Sequence, residues 1–180
     1  MINSRKSRFS DGLGGVNKTP LQKWILAFIH GYDHEKYWKR RSVVIDPHSR
    51  VPKLIRLYYL FWIKRVDAKH HCSFGTNLNA GAEFATPPFL PHGPNGIICG
   101  HDIKVGAGCI IYHQVTIAGG NVVIGDRTEL GAGAKVLPNV TIGSHCHIGA
   151  NAVVVEDVPD GATCVLTKPR VIIKKKENDE

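Results

Sequence analysis

The segment PPFLPHGPNGIICG, residues 87–100, sets a single histidine, His92, among prolines and glycines. Proline fixes φ and removes a donor, and glycine admits backbone geometries closed to other residues, so the stretch predicts a rigid, shaped loop. An imidazole titrates near neutrality and can accept a proton at cellular pH, which makes a firmly mounted His92 a candidate general base. The plain alternative is an ordinary connection whose histidine faces water. The five cysteines form no C-x-x-C pair and are odd in number, so they suit neither a disulfide framework nor a redox motif and are expected to be reduced packing residues.

The element that must carry such a loop is written in the second half of the chain as a repeat of six. From residue 124 the blocks read IGDRTE, LGAGAK, VLPNVT, IGSHCH, IGANAV and VVEDVP, led by Ile124, Leu130, Val136, Ile142, Ile148 and Val154. Val105, Ile111 and Ile117 keep the same spacing upstream, until the phase moves by one residue at AGGN, 118–121. A fixed short repeat of this kind predicts a parallel β-helix in which each block is one strand plus a corner and three blocks close a triangle. Residues 18 apart then stack at the strand spacing of about 4.8 Å. Ile124 falls beneath Ile142, Leu130 beneath Ile148 and Val136 beneath Val154. Small residues at the fifth place, Cys109, Val115, Thr128, Ala134, Val140, Cys146, Ala152 and Val158, suit interior corners, and Cys109, Thr128, Cys146 and Cys164 are expected in one column.

These blocks resemble the hexapeptide-repeat acyltransferases. The closest likeness is to their serine acetyltransferase branch, carried by His92 with Gly96-Ile97-Ile98, by IIYHQVTIAGG and LGAGAKVLPNVTIG, and by the closing VVVEDVPDGA. The resemblance covers residues 72 to 173 and implies a mainly β fold: a left-handed parallel β-helix with a small N-terminal helical region, usually assembled as a homotrimer. The left hand comes from the resemblance alone, because general rules for β connections favour the other. The implied chemistry is acetyl transfer from acetyl-CoA, with His92 as the base that removes a proton from an acceptor hydroxyl. The branch pairs its base with an aspartate about fifteen residues earlier. Here Asn77 stands there, with Asn79 after a small shift, and Glu83 is the nearest upstream carboxylate. Asn77 could orient the imidazole without balancing its charge, and Glu83 is its rival.

By the same resemblance, the acyl donor's pantetheine runs along Gly131, Ala132, Gly133, Ala134 and Lys135, then Gly149 and Ala150, with Lys168 and Arg170 as candidates for its phosphates. Serine acetyltransferases insert a histidine-bearing loop after the Gly-Gly, whereas this chain passes directly from Gly119-Gly120 to Asn121. Their helical region is also longer. The expected acceptor is therefore a sugar or glycan hydroxyl of the kind modified in surface polysaccharide assembly, met by Asn95, His113 and Gln114. Serine O-acetylation is the alternative, and an inactive β-helix used as a scaffold or binding module is an alternative of another class. His145 and His147, two apart, are expected on one face of a strand. With His70, His71 and Cys72 they lack the histidine spacing of metal-binding relatives, and no metal is expected.

The 180 residues are 43% apolar and carry a net charge of +8, enough for one good core with an appendage. The basic residues concentrate between 36 and 70 and again at KPRVIIKKK without a nucleic-acid module, so no nucleic acid is expected as partner. No apolar run reaches membrane-spanning length and the first twenty residues have no signal-peptide core, which gives a cytoplasmic expectation, with peripheral contact at the inner membrane face as the alternative. The expected divisions are a loose terminus over 1–18, helices over 19–71, the β-helix over 72–165 and a charged extension over 166–180. TPLQKWILAFIHGYDHEKYWKRR and KLIRLYYLFWIKRVDAKHH each read as a helix, the first capped by Thr19. Trp24, Phe28, Tyr58, Phe61 and Trp62, with basic neighbours, could face a membrane. Packing against the β-helix or across the trimer is the favoured reading for them.

Overall fold

The computed structural model describes residues 19–167, apart from the side chains of Lys23, Trp24 and Leu26. Three helices precede a triangular parallel β-solenoid. The first face stacks Ser73–Phe74, Ile98–Cys99, Thr116–Ile117, Lys135–Val136 and Val153–Val154. The second stacks Glu83–Phe84, Ile103–Val105, Val122–Ile124 and Thr141–Ile142, and the third Ile110–Ile111, Glu129–Leu130, His147–Ile148 and Thr163–Cys164. Phe89 adds a bridge to the third face at Ile110.

The expected columns hold residue by residue. Ile124 pairs with Ile142, Leu130 with Ile148 and Val136 with Val154, while Val105, Ile111 and Ile117 extend them above. These leaders point inward and are buried, each contributing about 2 kcal/mol of apolar burial. Glycine follows many leaders because the next coil approaches closely: a Cβ on Gly131 would lie 2.7 Å from the Ala150 nitrogen and the Ile148 oxygen. The extra residue at 118–121 is taken up where the first face turns into the second, with Gly120 at φ +93° and Asn121 at +56°.

Three expectations are corrected. Cys109, Thr128 and Cys146 do share an interior corner, but Cys164 pairs with Ile148 on a strand, and Ala162 takes the corner place, its carbonyl accepting from the His147 N–H as that of Cys146 accepts from Glu129. The last coil is two residues short, so Val158 bridges to Ile142 as a strand residue and is not a corner filler. His145 occupies a corner at φ +59° and His147 a strand, so the two do not share a strand face.

The first predicted helix is also two. Thr19 caps α1 (Pro20–His30) through a capping box with Gln22, but Gly31 ends it in the left-handed conformation and Asp33 caps α2 (His34–Ile45). A third helix, α3 (Lys53–His70), packs on α2. Tyr37 and Trp38 are buried against Phe74, and Trp38 also meets Phe84, so α2 closes the open top of the solenoid. Arg41, 2% exposed, donates to Thr76 Oγ1 and to the carbonyls of Phe74 and Ala82 while stacking near Trp38 and Phe84. Burial lowers its pKa. Arg56 performs the corresponding task at the end of α2, bonding the Val43, Val44 and Asp46 carbonyls and Asn79 Oδ1. Of the aromatic residues proposed for a membrane face, Phe28, Tyr58 and Phe61 point outward and Trp62 is half-buried; the side chain of Trp24 lies outside the described residues.

Candidate functional site

His92 belongs to the loop that joins Phe89 on the third face to Ile98 on the first. Gly93 and Gly96 adopt φ +69° and +67°, conformations that favour glycine, and their N–H groups donate to the carbonyls of Leu90 and His70. Ile97 N–H closes the turn on Pro94. The predicted rigid loop is therefore present, with the His92 ring exposed on it.

The same corner recurs below as 112–115, 131–134 and 149–152, and this stacking collects the site. The His92 ring lies 5.1 Å from that of His113, edge on, and 6.0 Å from that of Tyr112. His113 Nδ1 is buried, with no hydrogen-bond partner among the described residues. Beside Tyr112 opens a cavity of about 380 Å³ lined by Tyr112, Glu129, Gly131, Ala132, His147, Ile148, Gly149, Ala150 and Thr163. Four of the residues named for the acyl donor, Gly131, Ala132, Gly149 and Ala150, thus form one wall. Gly133 and Ala134 belong to the corner itself, Ala134 fully buried, and Lys135 turns its ammonium to the carbonyls of Gln114 and Gly133. Lys168 and Arg170 lie outside the described residues.

Sequence reasoning missed the outer column of this groove. Glu129 and His147 stand 18 apart and pair across adjacent strands, with Oε2 3.3 Å from Nδ1. Burial and the Glu129 carboxylate push the Tyr112 hydroxyl above its usual pKa, so it stands protonated at neutral pH. The same 18-residue rule that aligned the aliphatic leaders could have found this column had it been applied to outward positions.

The other nominated residues are spread. Asn77 lies in a small hairpin, Thr76–Asn77 against Ala80–Gly81, where the first face turns into the second, and Glu83 starts the second face, 3.9 Å from Lys104. Both are one triangle corner away from His92, and neither side chain bonds to it among the described residues. Asn95 directs its amide inward to the protein, Nδ2 donating to the His92 carbonyl and Oδ1 facing His70. Gln114 sits at the turn of the coil below, at φ +59°, its N–H bonded to the Asn95 carbonyl. Among the described residues no group of three or more His, Cys, Asp or Glu side chains could hold a metal.

Residues 121–155 match the family described as bacterial transferase hexapeptide (six repeats). A serine acetyltransferase of Mycobacterium tuberculosis (strain ATCC 25618 / H37Rv) is 40% identical over 70 residues, covering 35% of this chain and 30% of that protein. Serine acetyltransferase 1 of Entamoeba histolytica, solved in complex with L-cysteine, superposes with a TM-score of 0.51 at 30% identity, over 62% of this chain and 45% of its own. Neisseria gonorrhoeae serine acetyltransferase in complex with serine gives a TM-score of 0.51 at 26% identity, covering 84% of this chain and 78% of that one. The chain therefore matches less than a third of the mycobacterial protein and less than half of the amoebal one. The hexapeptide repeat and the parallel β-helix expected from it are both present.

Proposed function

From a hexapeptide-repeat solenoid similar to serine acetyltransferases, we propose that this protein is an acetyl-CoA-dependent O-acetyltransferase with His92 as general base. The observation that carries the reading is that His92 adjoins, through Tyr112, a groove walled by Gly131, Ala132, Gly149 and Ala150. Small residues leave room for a slender thioester arm, and backbone groups can hold its amides. His92 takes the acceptor O–H proton as the oxygen attacks the thioester carbonyl. The C–S bond then breaks, and the imidazolium returns the proton to the departing thiolate.

For the acceptor we favour a sugar or glycan hydroxyl. The turn Gly119-Gly120-Asn121 is tight and contains no histidine of its own, although the backbone of His101 in the coil above packs on Gly119. A neutral hydroxyl needs a base and a few polar contacts, for which His113, beside the His92 ring, and Gln114 are the candidates. Serine is the second reading, favoured by the mycobacterial and gonococcal relatives. Thioester cleavage with serine and with a panel of sugars, nucleotide sugars and lipid-linked glycans, followed by mass analysis of the product, separates them. A serine kcat/KM of about 10⁴ M⁻¹s⁻¹ or more with no active glycan makes serine the acceptor. No thioester cleavage with any acceptor returns the scaffold reading.

We also place the enzyme at an anionic membrane surface. Leu54, Leu57, Tyr58 and Phe61 form an exposed stripe on α3 that continues into Arg65 and Lys69, a pattern suited to lipid headgroups. No described helix is long and apolar enough to cross a membrane.

A further inference from the structure

We infer that His70 and Asn95 are positioning residues for His92: they strap the end of the helical cap to the loop that carries the base. The inference rests on the reading of His92 as base. His70 is the last residue of α3 and only 9% exposed. Its Nδ1 lies 3.0 Å from Asn95 Oδ1. An amide oxygen only accepts, so Nδ1 carries the hydrogen. The Asn95 Nδ2 in turn donates to the His92 carbonyl at 2.9 Å. Two backbone bonds run alongside: Gly96 N–H donates to the His70 carbonyl and Gln114 N–H to that of Asn95, each at 3.0 Å.

On its other side His70 meets the ring of Tyr32 edge on, at 5.9 Å. The helix end is anchored where Tyr37 donates to Asp67 Oδ1 at 2.6 Å. A residue that merely ended a helix would have no need of a partner 25 positions away. The His92 ring has no hydrogen bond of its own among the described residues, so its place depends on the backbone beneath it, and Asn95 holds that backbone. Groups that orient metal-ligating histidines commonly matter about ten- to a hundredfold, and a similar scale is expected for groups that orient a catalytic one.

The test uses the full chain as Asn95→Ala, His70→Ala and His70→Asn. Thioester cleavage and amide hydrogen exchange over residues 92–97 are measured on each. Both alanine variants should lower kcat about tenfold or more, with the KM for acetyl-CoA within about twofold. Their effects should not add in the double variant, because both act through one bond. His70→Asn, whose amide N–H can stand where Nδ1–H stands, should recover most of the rate. In a His92→Ala background, Asn95→Ala should leave the residual rate unchanged, which a general loss of packing would not do. Exchange at Gly93, Gly96 and Ile97 should rise in both alanine variants. If His70→Ala fails to fold, Asn95→Ala, an exposed side chain, carries the test. Unchanged kcat with unchanged exchange overturns the strap. Faster loop exchange in a protein that transfers no acetyl group, wild type included, supports the strap and overturns the reading of His92 as base.

Discussion

A general base needs reach more than burial, and the exposed His92 ring can be removed without opening the core. His92→Ala should lower kcat by about 10² or more while thermal stability and acetyl-CoA binding stay near wild type. Steady-state kinetics beside a melting curve decide it, and equal turnover would remove His92 from the mechanism. The cysteines give a second test at this scale. Burial pushes the Cys99 thiol up to about 12 and the Cys72 and Cys109 thiols above their usual range. At pH 8 these thiols therefore stand protonated, and the thiolate is the nucleophile. Alkylation of the native protein at that pH should mark Cys164, half-exposed on its strand, before Cys72, Cys99, Cys109 or Cys146. Mass analysis of the labelled peptides reads the order, and early labelling of Cys99 would contradict the packing described.

At the scale of the element, each coil is held to the next by parallel strand pairing and by close backbone approach at glycine. Gly131→Ala introduces a methyl group within 3 Å of three backbone atoms of the coil beneath. Backbone cannot rotate away as a side chain can, so a cost of about 1–3 kcal/mol is expected. Gly93→Ala meets nothing within 4 Å but must hold φ +69°, a cost of about 1–2 kcal/mol. Gly131→Ala should therefore lose stability through coil separation and acetyl-CoA affinity with it, because the same glycine lines the groove. Gly93→Ala should lose kcat first, through its loop. Denaturant midpoints and acetyl-CoA titration of the two variants separate these effects, and identical profiles would argue against distinct roles for coil and loop.

At the scale of the molecule, the groove beside Tyr112 is open on one side, and Asn77 and Glu83 stand one triangle corner away from His92. Either could meet His92 only from a neighbouring copy, so a cyclic homotrimer is predicted. Light scattering should give three times the 19.8 kDa chain mass. A fully active monomer would place the whole site within one chain and dismiss both residues as partners of the base. The helical cap contributes at this scale as well. Arg41 bonds the first coil from above, and Arg41→Met should destabilise the top of the solenoid by leaving the Phe74 and Ala82 carbonyls without this donor, at about 1–3 kcal/mol for such a loss.

The sequence by itself determined the solenoid, because a period of six with aliphatic leaders has no other way to bury them all. Leu130 and Ile148 fall in one column by counting eighteen, and Ile111 joins them once the extra residue at 118–121 is allowed for. The shaped loop around His92 was legible because proline and glycine surround it, whereas Gly131, Ala132, Gly149 and Ala150 were nominated through the family resemblance. Counting failed where the repeat changed length: two residues lost in the last coil moved Cys164 from a corner to a strand. It was also silent on contacts between distant segments. Only the tertiary structure decided that the exposed Asn95 side chain meets His70, that Glu129 meets His147 beside the groove, and that Asn77 stands away from His92. Periodic burial is a local property written into each block, whereas the partner of a polar side chain depends on which corner of the triangle the chain has reached.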